Sequence, residues 1–170
     1  MSECIQTDRL VLRPFRDADA ARVAELIGTL SVSRWLTRVP YPYSPQNARG
    51  FFARHAGDDM VLAVTRADDA SDKVIGCCSI QNELGYWLGQ PFWGLGYAFE
   101  ATTALVGRYF RRHRTDLRSG YMQGNAASAR ILSKLGFQPT RIEVAECLAT
   151  RTPVTLQKMA LSLEAWRGTT

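Results

Sequence analysis

Three strand-like segments follow one another with no helical pattern between them, and this run limits the possible folds more than any other feature of the chain. Residues 60–65 and 74–80 are rich in β-branched and apolar residues, the polar residues 67–72 predict a hairpin loop between them, and residues 84–88 predict a third strand. Consecutive strands without crossover helices favour antiparallel pairing. The predicted fold class is therefore α/β (α+β), with a mixed, mostly antiparallel central sheet flanked by helices.

The segments on either side of this run complete the predicted order. The predicted order along the chain is a strand, two helices, three strands, a helix, a strand, a helix and two strands. Outside the central run, the strands are predicted at residues 9–15, 118–122, 144–148 and 154–163, and the helices at residues 17–27, 44–55, 96–109 and 125–135. Asp17 and Ser44 are the expected N-caps of the first two helices, and Gly136 is the expected end of the last.

Length and composition indicate one globular domain over residues 1–170. The chain has 46% hydrophobic and 22% charged residues, which is typical of a folded domain and not of a disordered one. It contains no apolar run near the ~20 residues that span a bilayer. Its N-terminus lacks the basic and apolar segments of a signal peptide. We therefore expect a cytoplasmic protein without a membrane partner.

Cysteines and histidines give no indication of a metal site. Cys77 and Cys78 are adjacent, so on a strand they point to opposite faces, and no C-x-x-C spacing occurs. The two histidines, His55 and His113, have no carboxylate at ligand spacing. We expect buried, reduced thiols, no metal and no Ser-His-Asp triad.

The net charge of +5 leaves open whether the chain binds nucleic acid or the ribosome. Residues 108–114 hold the densest basic cluster, but no nucleic-acid motif accompanies it. Cations at the end of a helix also complement its dipole, and this second interpretation is favoured. A third effect of the charge would be to steer an anionic ligand.

A glycine-rich segment joins the third strand of the run to the next helix. Gly94 and Gly96 leave the backbone uncovered there, so the N–H groups of residues 94–98 can converge on one anion, as in a pyrophosphate site. Phe99 replaces the third glycine of the dinucleotide fingerprint, and no P-loop lysine follows. On this segment alone, a tight turn without a ligand is an equal alternative.

Residues 93–101 (WGLGYAFEA) resemble the acetyl-CoA loop of the GNAT acetyltransferases, and are most similar to the branch that contains the bacterial ribosomal-protein N-terminal acetyltransferases. Gly96 and Ala98 match the superfamily pattern, whereas Trp93 stands where arginine or glutamine is usual. Segments 8–14, 84–88 and 125–137 resemble the first strand, the central strand and the second cofactor segment of the family. The resemblance extends over roughly residues 7–165, and the four segments in this order are specific together.

The resemblance implies an N-acetyltransferase in which the central strands splay into a cleft. Acetyl-CoA would be the co-substrate, and a primary amine would attack its thioester directly, since neither buried cysteine has an activating base nearby in sequence. A strand amide near Leu88 would stabilise the oxyanion. The cofactor-binding residues it implies are Leu88, Trp93, Gly94, Leu95, Gly96, Tyr97, Ala98, Asn125, Arg130 and Lys134.

Catalytic candidates come from the helix that starts near Asn125. Asn125, Ser128 and Leu132 share one helical face, which in the family faces the pantetheine arm and the thioester. Many relatives carry tyrosine at the position of Leu132 as the acid for the leaving thiolate, so either Ser128 or water must take that role here. Helix capping is the alternative role for Asn125 and Ser128. For Arg130 and Lys134 the alternative to phosphate contact is a solvated cationic edge.

Glu83, at the start of the central strand, is the candidate general base, although pairing with a surface arginine is the favoured alternative. Trp35, Tyr41 and Tyr43 are the candidate walls of the acceptor pocket, with core packing as the alternative for Trp35. The acceptor is a small-molecule or peptide amine, and a homodimer is left open. Two other functions stay open: a non-catalytic CoA-binding regulatory module and a ribosome-associated basic protein.

Overall fold

The computed structural model describes residues 4–169, which contain eight strands and six α-helices. The strands are β1 (Ile5–Gln6), β2 (Leu10–Arg13), β3 (Val61–Arg66), β4 (Val74–Ile80), β5 (Leu84–Leu88), β6 (Leu117–Met122), β7 (Gln138–Cys147) and β8 (Thr152–Leu161). The helices are α1 (Ala20–Ile27), α2 (Leu30–Ser33), α3 (Pro45–Arg54), α4 (Tyr97–Arg112), α5 (Ala126–Leu135) and α6 (Leu163–Thr169). No helix in this part of the chain is long and apolar enough to cross a membrane.

The strands form two sheets. Five strands pair in the order β1-β2-β3-β4-β5, and three pair in the order β6-β8-β7. Every registered pair within residues 4–169 is antiparallel. The prediction of mostly antiparallel strands flanked by helices is confirmed.

The two sheets meet at β5 and β6 and then diverge. The Ser119 hydroxyl of β6 donates to the Leu84 carbonyl at the start of β5, at 2.8 Å. No ladder pairs β5 with β6 among the described residues. At their other ends, Leu88 and Met122 line the walls of one cavity. The strands therefore splay apart from a joined base, and the connecting helix α4 begins beside the opening.

Two apolar clusters cover the faces of the larger sheet. The major core packs α4 against the larger sheet and α5 against α4 and β6, through residues such as Leu62, Leu105 and Leu132, which are 0% exposed. The minor core packs α1 and α3 on the other face, where Val23 and Val74 meet. Since β3 and β4 are buried on both faces, their sequences are continuous apolar runs without alternation.

Two of the three helix-capping residues predicted from the sequence are confirmed, and one is not. Ser44 caps α3 by accepting from the Asn47 amide, and Gly136 ends α5 with φ +95°. Asp17 is not the cap of α1, because a 3₁₀ turn over Asp17–Asp19 precedes that helix. The Asp17 carboxylate instead forms an ion pair with Arg49 at 2.9 Å.

At the C-terminal end, the predicted strands differ from those observed. β7 begins at Gln138, six residues before the predicted start, because it pairs along β8 from Gln138 opposite Ala160. Pro139 and the polar residues after it do not have a strand-like pattern, so the sequence does not predict this part of β7. Ladder hydrogen bonds with β8 stabilise it as a strand. The last residues form α6, where Trp166 packs on the major core at 9% exposure.

Candidate active site

A cavity of about 760 Å³ lies between the splayed strands β5 and β6 and extends along the N-termini of α4 and α5. It brings together most of the residues that the sequence singled out. The predicted site residues that line it are Trp35, Glu83, Leu88, Trp93, Gly94, Gly96, Tyr97, Ala98, Asn125, Ser128, Arg130 and Lys134.

Three predicted residues do not line this cavity. The Leu95 side chain is 51% exposed, and only its carbonyl has a role in the loop, described below. Tyr43 packs against the minor core, where burial raises the pKa of its phenol. Tyr41, two residues earlier, is 43% exposed. Neither tyrosine is among the residues that line the cavity, so the prediction that they form its wall is wrong.

The glycine-rich turn has the backbone that its sequence predicts. Gly94 and Gly96 have φ values of +74° and +81°, a region that side chains with a Cβ rarely adopt. Gly96 is the N-cap of α4, and its carbonyl accepts the first helical hydrogen bond from Glu100. The amides that precede Glu100 in the first turn therefore have no intrahelical acceptor. Together with the helix dipole, they favour an anion such as a pyrophosphate.

Arg9, which immediately precedes β2, holds this turn in place, and sequence reasoning missed it. Its guanidinium donates to a Glu100 carboxylate oxygen at 2.7 Å and to the Leu95 carbonyl at 3.0 Å, and it lies 4.8 Å from the centre of the Tyr97 ring. Glu100 also accepts from the Thr7 hydroxyl at 2.6 Å. Burial would raise the pKa of Glu100, but these hydrogen bonds and the Arg9 charge lower it.

One edge of β5 offers backbone groups to the cavity. The carbonyl of Leu84 accepts from Ser119, and that of Leu88 accepts from the Trp93 indole Nε1 at 2.8 Å, so both face away from β4. In an antiparallel ladder the N–H and C=O of one residue lie on the same edge. The Leu88 N–H therefore faces the opening between β5 and β6, where it can donate to a ligand.

The first turn of α5 presents Ser128 to the cavity. The Asn125 side chain accepts from the Ser128 amide at 3.1 Å, so Asn125 is the cap of this helix. The Ser128 hydroxyl lies 2.8 Å from the hydroxyl of Tyr86, which projects from β5. Burial, partly opposed by this hydrogen bond, raises the pKa of Tyr86 to about 12. Tyr86 shares a strand face with Leu84 and Leu88. The alternation of side chains along β5 was the sequence feature from which this orientation of Tyr86 could have been predicted.

Leu132 does not face the cavity, and the prediction that it shares a ligand-facing surface with Ser128 is wrong. Its side chain is 0% exposed and belongs to the major core. Positions i and i+4 are offset by about 40° around a helix, and α5 turns this offset inward against the sheets. Ile131, the preceding residue, lines the cavity instead.

Charged side chains stand at both ends of the cavity. At one end, Glu83 forms an ion pair with Lys158 of β8 at 2.6 Å, so its partner is a buried lysine and not the surface arginine that sequence reasoning favoured. At the other end, Arg130 and Lys134 are exposed on α5, and the Lys134 ammonium lies 5.7 Å from the centre of the Phe99 ring. The cationic end adjoins the glycine-rich turn.

Buried thiols take no visible part in this site. Cys77 and Cys78 are buried in β4, and desolvation raises the pKa of Cys77 to about 12 and that of Cys78 well above its usual value. Both thiols are therefore neutral at ordinary pH. Within residues 4–169 there is no cluster of three or more side chains that could hold a metal ion.

The fold and the site together define an acetyltransferase. The profile of the acetyltransferase (GNAT) domain matches residues 9–138, so the chain belongs to the GNAT acetyltransferase family and is an acyltransferase. Enzymes of this family use acetyl-CoA as their co-substrate.

Three individual proteins show which members of the family are similar to this chain. The chain is 29% identical over 151 residues to the [ribosomal protein uS5]-alanine N-acetyltransferase of Escherichia coli (strain K12), with 79% of this chain and 77% of that protein covered. Its fold matches a GNAT-family acetyltransferase from Bacillus anthracis with a TM-score of 0.80 at 18% identity, over 95% of this chain and 99% of that one. It also matches the ribosomal-protein-S5-alanine acetyltransferase of Vibrio fischeri with a TM-score of 0.75 at 16% identity, over 96% and 98%.

Proposed function

We propose that this protein transfers the acetyl group of acetyl-CoA to the N-terminal amine of a protein or peptide, in the cavity between β5 and β6. One observation carries the proposal: the backbone N–H of Leu88, the first turn of α4 and the Ser128 hydroxyl all border the same cavity. A thioester ligand needs these three elements together, namely an anion site, a donor for its carbonyl oxygen and a proton source for its sulfur.

The residues present fit acetyl-CoA. The pyrophosphate would lie against the amides of residues 94–98, with Arg130 and Lys134 close enough to the opening to add positive charge. The Asn125 side chain would hold the pantetheine arm. Acetyl-CoA supplies the activated acetyl thioester, and the protein supplies the orientation.

The chain's own groups then account for the transfer. The amine nitrogen forms a bond to the thioester carbonyl carbon, the carbon–sulfur bond breaks, and one proton passes from nitrogen to sulfur overall. We assign the Leu88 N–H to the oxyanion and the Ser128 hydroxyl to the leaving sulfur. Glu83 is the one carboxylate among the described residues that line the cavity, and it is the candidate acceptor for the amine proton, directly or through water.

The end of the cavity away from the glycine-rich turn would receive the acceptor. Trp35, Leu36 and Leu156 are apolar members of the cavity lining, and the Glu83–Lys158 pair lines the same cavity. The E. coli relative is named as a [ribosomal protein uS5]-alanine N-acetyltransferase. Since that relative shares the branch, a peptide that begins with alanine is the first substrate to test.

Two arginines of the basic cluster at residues 108–114 form contacts within the protein. Arg108 is 4% exposed and donates to the Asp59 carbonyl, and Arg112 pairs with the Asp59 carboxylate, whose pKa is lowered mainly by that hydrogen bond. These two arginines tie the end of α4 to the loop before β3. Their role in the structure is therefore internal.

The experiment measures free thiol release and product mass with purified protein and acetyl-CoA. The panel contains an alanine-starting peptide with an internal lysine, the same peptide blocked at its N-terminus, and small primary amines. We expect thiol release with the free peptide and none with the blocked peptide. Acetyl-CoA binding without thiol release for any amine would instead support a non-catalytic module, and transfer to the small amines alone would overturn the peptide assignment.

A further inference from the structure

We infer that Tyr86 is a positioning residue for acetyl transfer: its phenol donates to the Ser128 oxygen and so leaves the serine's own proton for the departing sulfur. This inference rests on the proposed function and adds a residue to the acid side of the reaction. It starts from a contact between β5 and α5, in which the two contacting residues are 42 positions apart in the sequence.

The contact has a defined geometry. The Tyr86 hydroxyl lies 2.8 Å from the Ser128 hydroxyl oxygen and 3.4 Å from the Ser128 carbonyl oxygen. The ring packs against the major core, while both hydroxyl-bearing residues line the cavity. A ring held by the core has few rotamers to choose from, so the position of its oxygen is fixed by packing.

The direction of the hydrogen bond follows from the acidity of the two groups. A phenol is a stronger donor than an aliphatic hydroxyl, and burial keeps Tyr86 protonated at any pH used for an assay. With Tyr86 as the donor, the serine oxygen accepts, and the serine proton is not used in this contact. Without the phenol, a serine near a helix N-terminus can rotate among three staggered positions or bond to nearby backbone.

Ser128 is thus held at two points. Asn125 accepts from its amide at 3.1 Å, and Tyr86 holds its hydroxyl. During transfer the carbon–sulfur bond breaks and the Ser128 proton passes to sulfur, giving the thiol. Glu83 takes the proton that the amine nitrogen loses and returns it through water to the serine oxygen, so Tyr86 and Ser128 end as neutral hydroxyls and Glu83 ends as a carboxylate. The phenol stabilises the charge that develops on the serine oxygen in between.

A double-mutant cycle tests the inference. In the wild-type background, Tyr86→Phe should lower kcat roughly 10-fold and leave the acetyl-CoA dissociation constant unchanged, because one hydrogen bond to the reacting hydroxyl is lost. In the Ser128→Ala background, the same substitution should have no further effect on kcat. Tyr109→Phe, which removes a phenol bonded to Thr115 far from the cavity, is the matched control and should leave kcat unchanged.

The outcomes separate the inference from the function it rests on. A wild-type protein that transfers acetyl groups, with Tyr86→Phe within twofold of it or with equal losses in both backgrounds, would overturn the role of Tyr86 alone. A wild-type protein inactive with every amine would overturn the proposed function as well. Melting temperatures monitor folding. If Tyr86→Phe does not fold, a fluorinated tyrosine at position 86 keeps the hydroxyl and must change kcat only where Ser128 is present.

Discussion

The indole nitrogen of Trp93 donates a hydrogen bond of 2.8 Å to the carbonyl oxygen of Leu88. This carbonyl is the last backbone acceptor of β5, and Trp93 lies at the start of the glycine-rich turn. Trp93 therefore fixes the turn to the strand end and keeps this carbonyl from facing the ligand. Its side chain is 43% exposed, so the ring is not needed for the core.

Trp93→Phe keeps an aromatic ring and removes the donor. We expect the acetyl-CoA dissociation constant to rise about 3- to 10-fold, because the Leu88 carbonyl is left without its partner near the ligand. Isothermal titration measures the affinity. Phe92→Leu, a neighbouring change that removes no hydrogen-bond donor, is the control, and an equal loss in both variants would contradict the role of the indole.

Gly96→Val should abolish measurable acetyl-CoA binding while the fold survives. A valine at φ +81° is strained by about 1–3 kcal/mol, and the relaxation would displace the amides at the start of α4. Gly57→Val imposes the same strain at φ +82° in a loop outside the cavity. Both variants should lose similar stability by urea unfolding, and only the first should lose affinity. Unchanged affinity in Gly96→Val would refute the anion site.

Lys158 and Glu83 should show strong coupling in stability. Glu83→Gln leaves the Lys158 ammonium, 8% exposed as a residue, without its carboxylate, at a cost of about 1–3 kcal/mol. Lys158→Met alone should also destabilise, whereas the double variant should recover most of the loss. Urea unfolding gives the cycle. If the stable double variant keeps its wild-type kcat, Glu83 is not the base.

Leu132→Tyr should destabilise the protein by about 1–3 kcal/mol, because the larger side chain overfills a position with 0% exposure. It should also fail to rescue Ser128→Ala, since position 132 faces the major core and not the cavity. Ser133→Tyr, on the exposed side of the same helix, should unfold like the wild type. Rescue of kcat in the Ser128→Ala/Leu132→Tyr variant would contradict the observed packing.

Alkaline pH should destabilise the protein in part through Tyr86. Its pKa is raised from 10.0 to about 12 in the folded state, so its contribution is complete below pH 10 and is lost as the pH rises through 12. At pH 11 the loss is about 1.4 kcal/mol. The difference in unfolding free energy between the wild type and Tyr86→Phe should therefore shift by this amount between pH 9 and pH 11. A pH-independent difference would contradict the raised pKa.

Features fixed by local backbone chemistry were predictable from the sequence. The turn at Gly94 and Gly96, the cap at Ser44 and the end of α5 at Gly136 depend on residues a few positions apart. The pairings between side chains within the site instead join residues that are far apart in the sequence. Glu83 meets Lys158 across 75 residues, and Arg9 meets Leu95 across 86. Such contacts depend on strand register and on how the two sheets meet, for which a single sequence carries no local signal.

The rotation of α5 about its axis is a second limit of this kind. Periodicity identifies a face containing Ser128 and Leu132, but not which edge of that face turns inward. The packing of Leu132 and Leu135 against the sheets decides it, and this leaves Ser128 and Ile131 toward the cavity.

The contacts of Arg9 with Glu100 and Leu95 join the first strands of the chain to the glycine-rich turn, so the two are thermodynamically linked. Linkage is reciprocal: whatever loosens β2 weakens ligand binding, and a ligand on the turn stabilises β2 by the same free energy. The N-terminal strand pair, which contributes no side chain to the cavity lining, is in this sense part of the proposed acetyl-CoA site. Changes near Thr7 and Arg9 would thus alter affinity without touching the ligand.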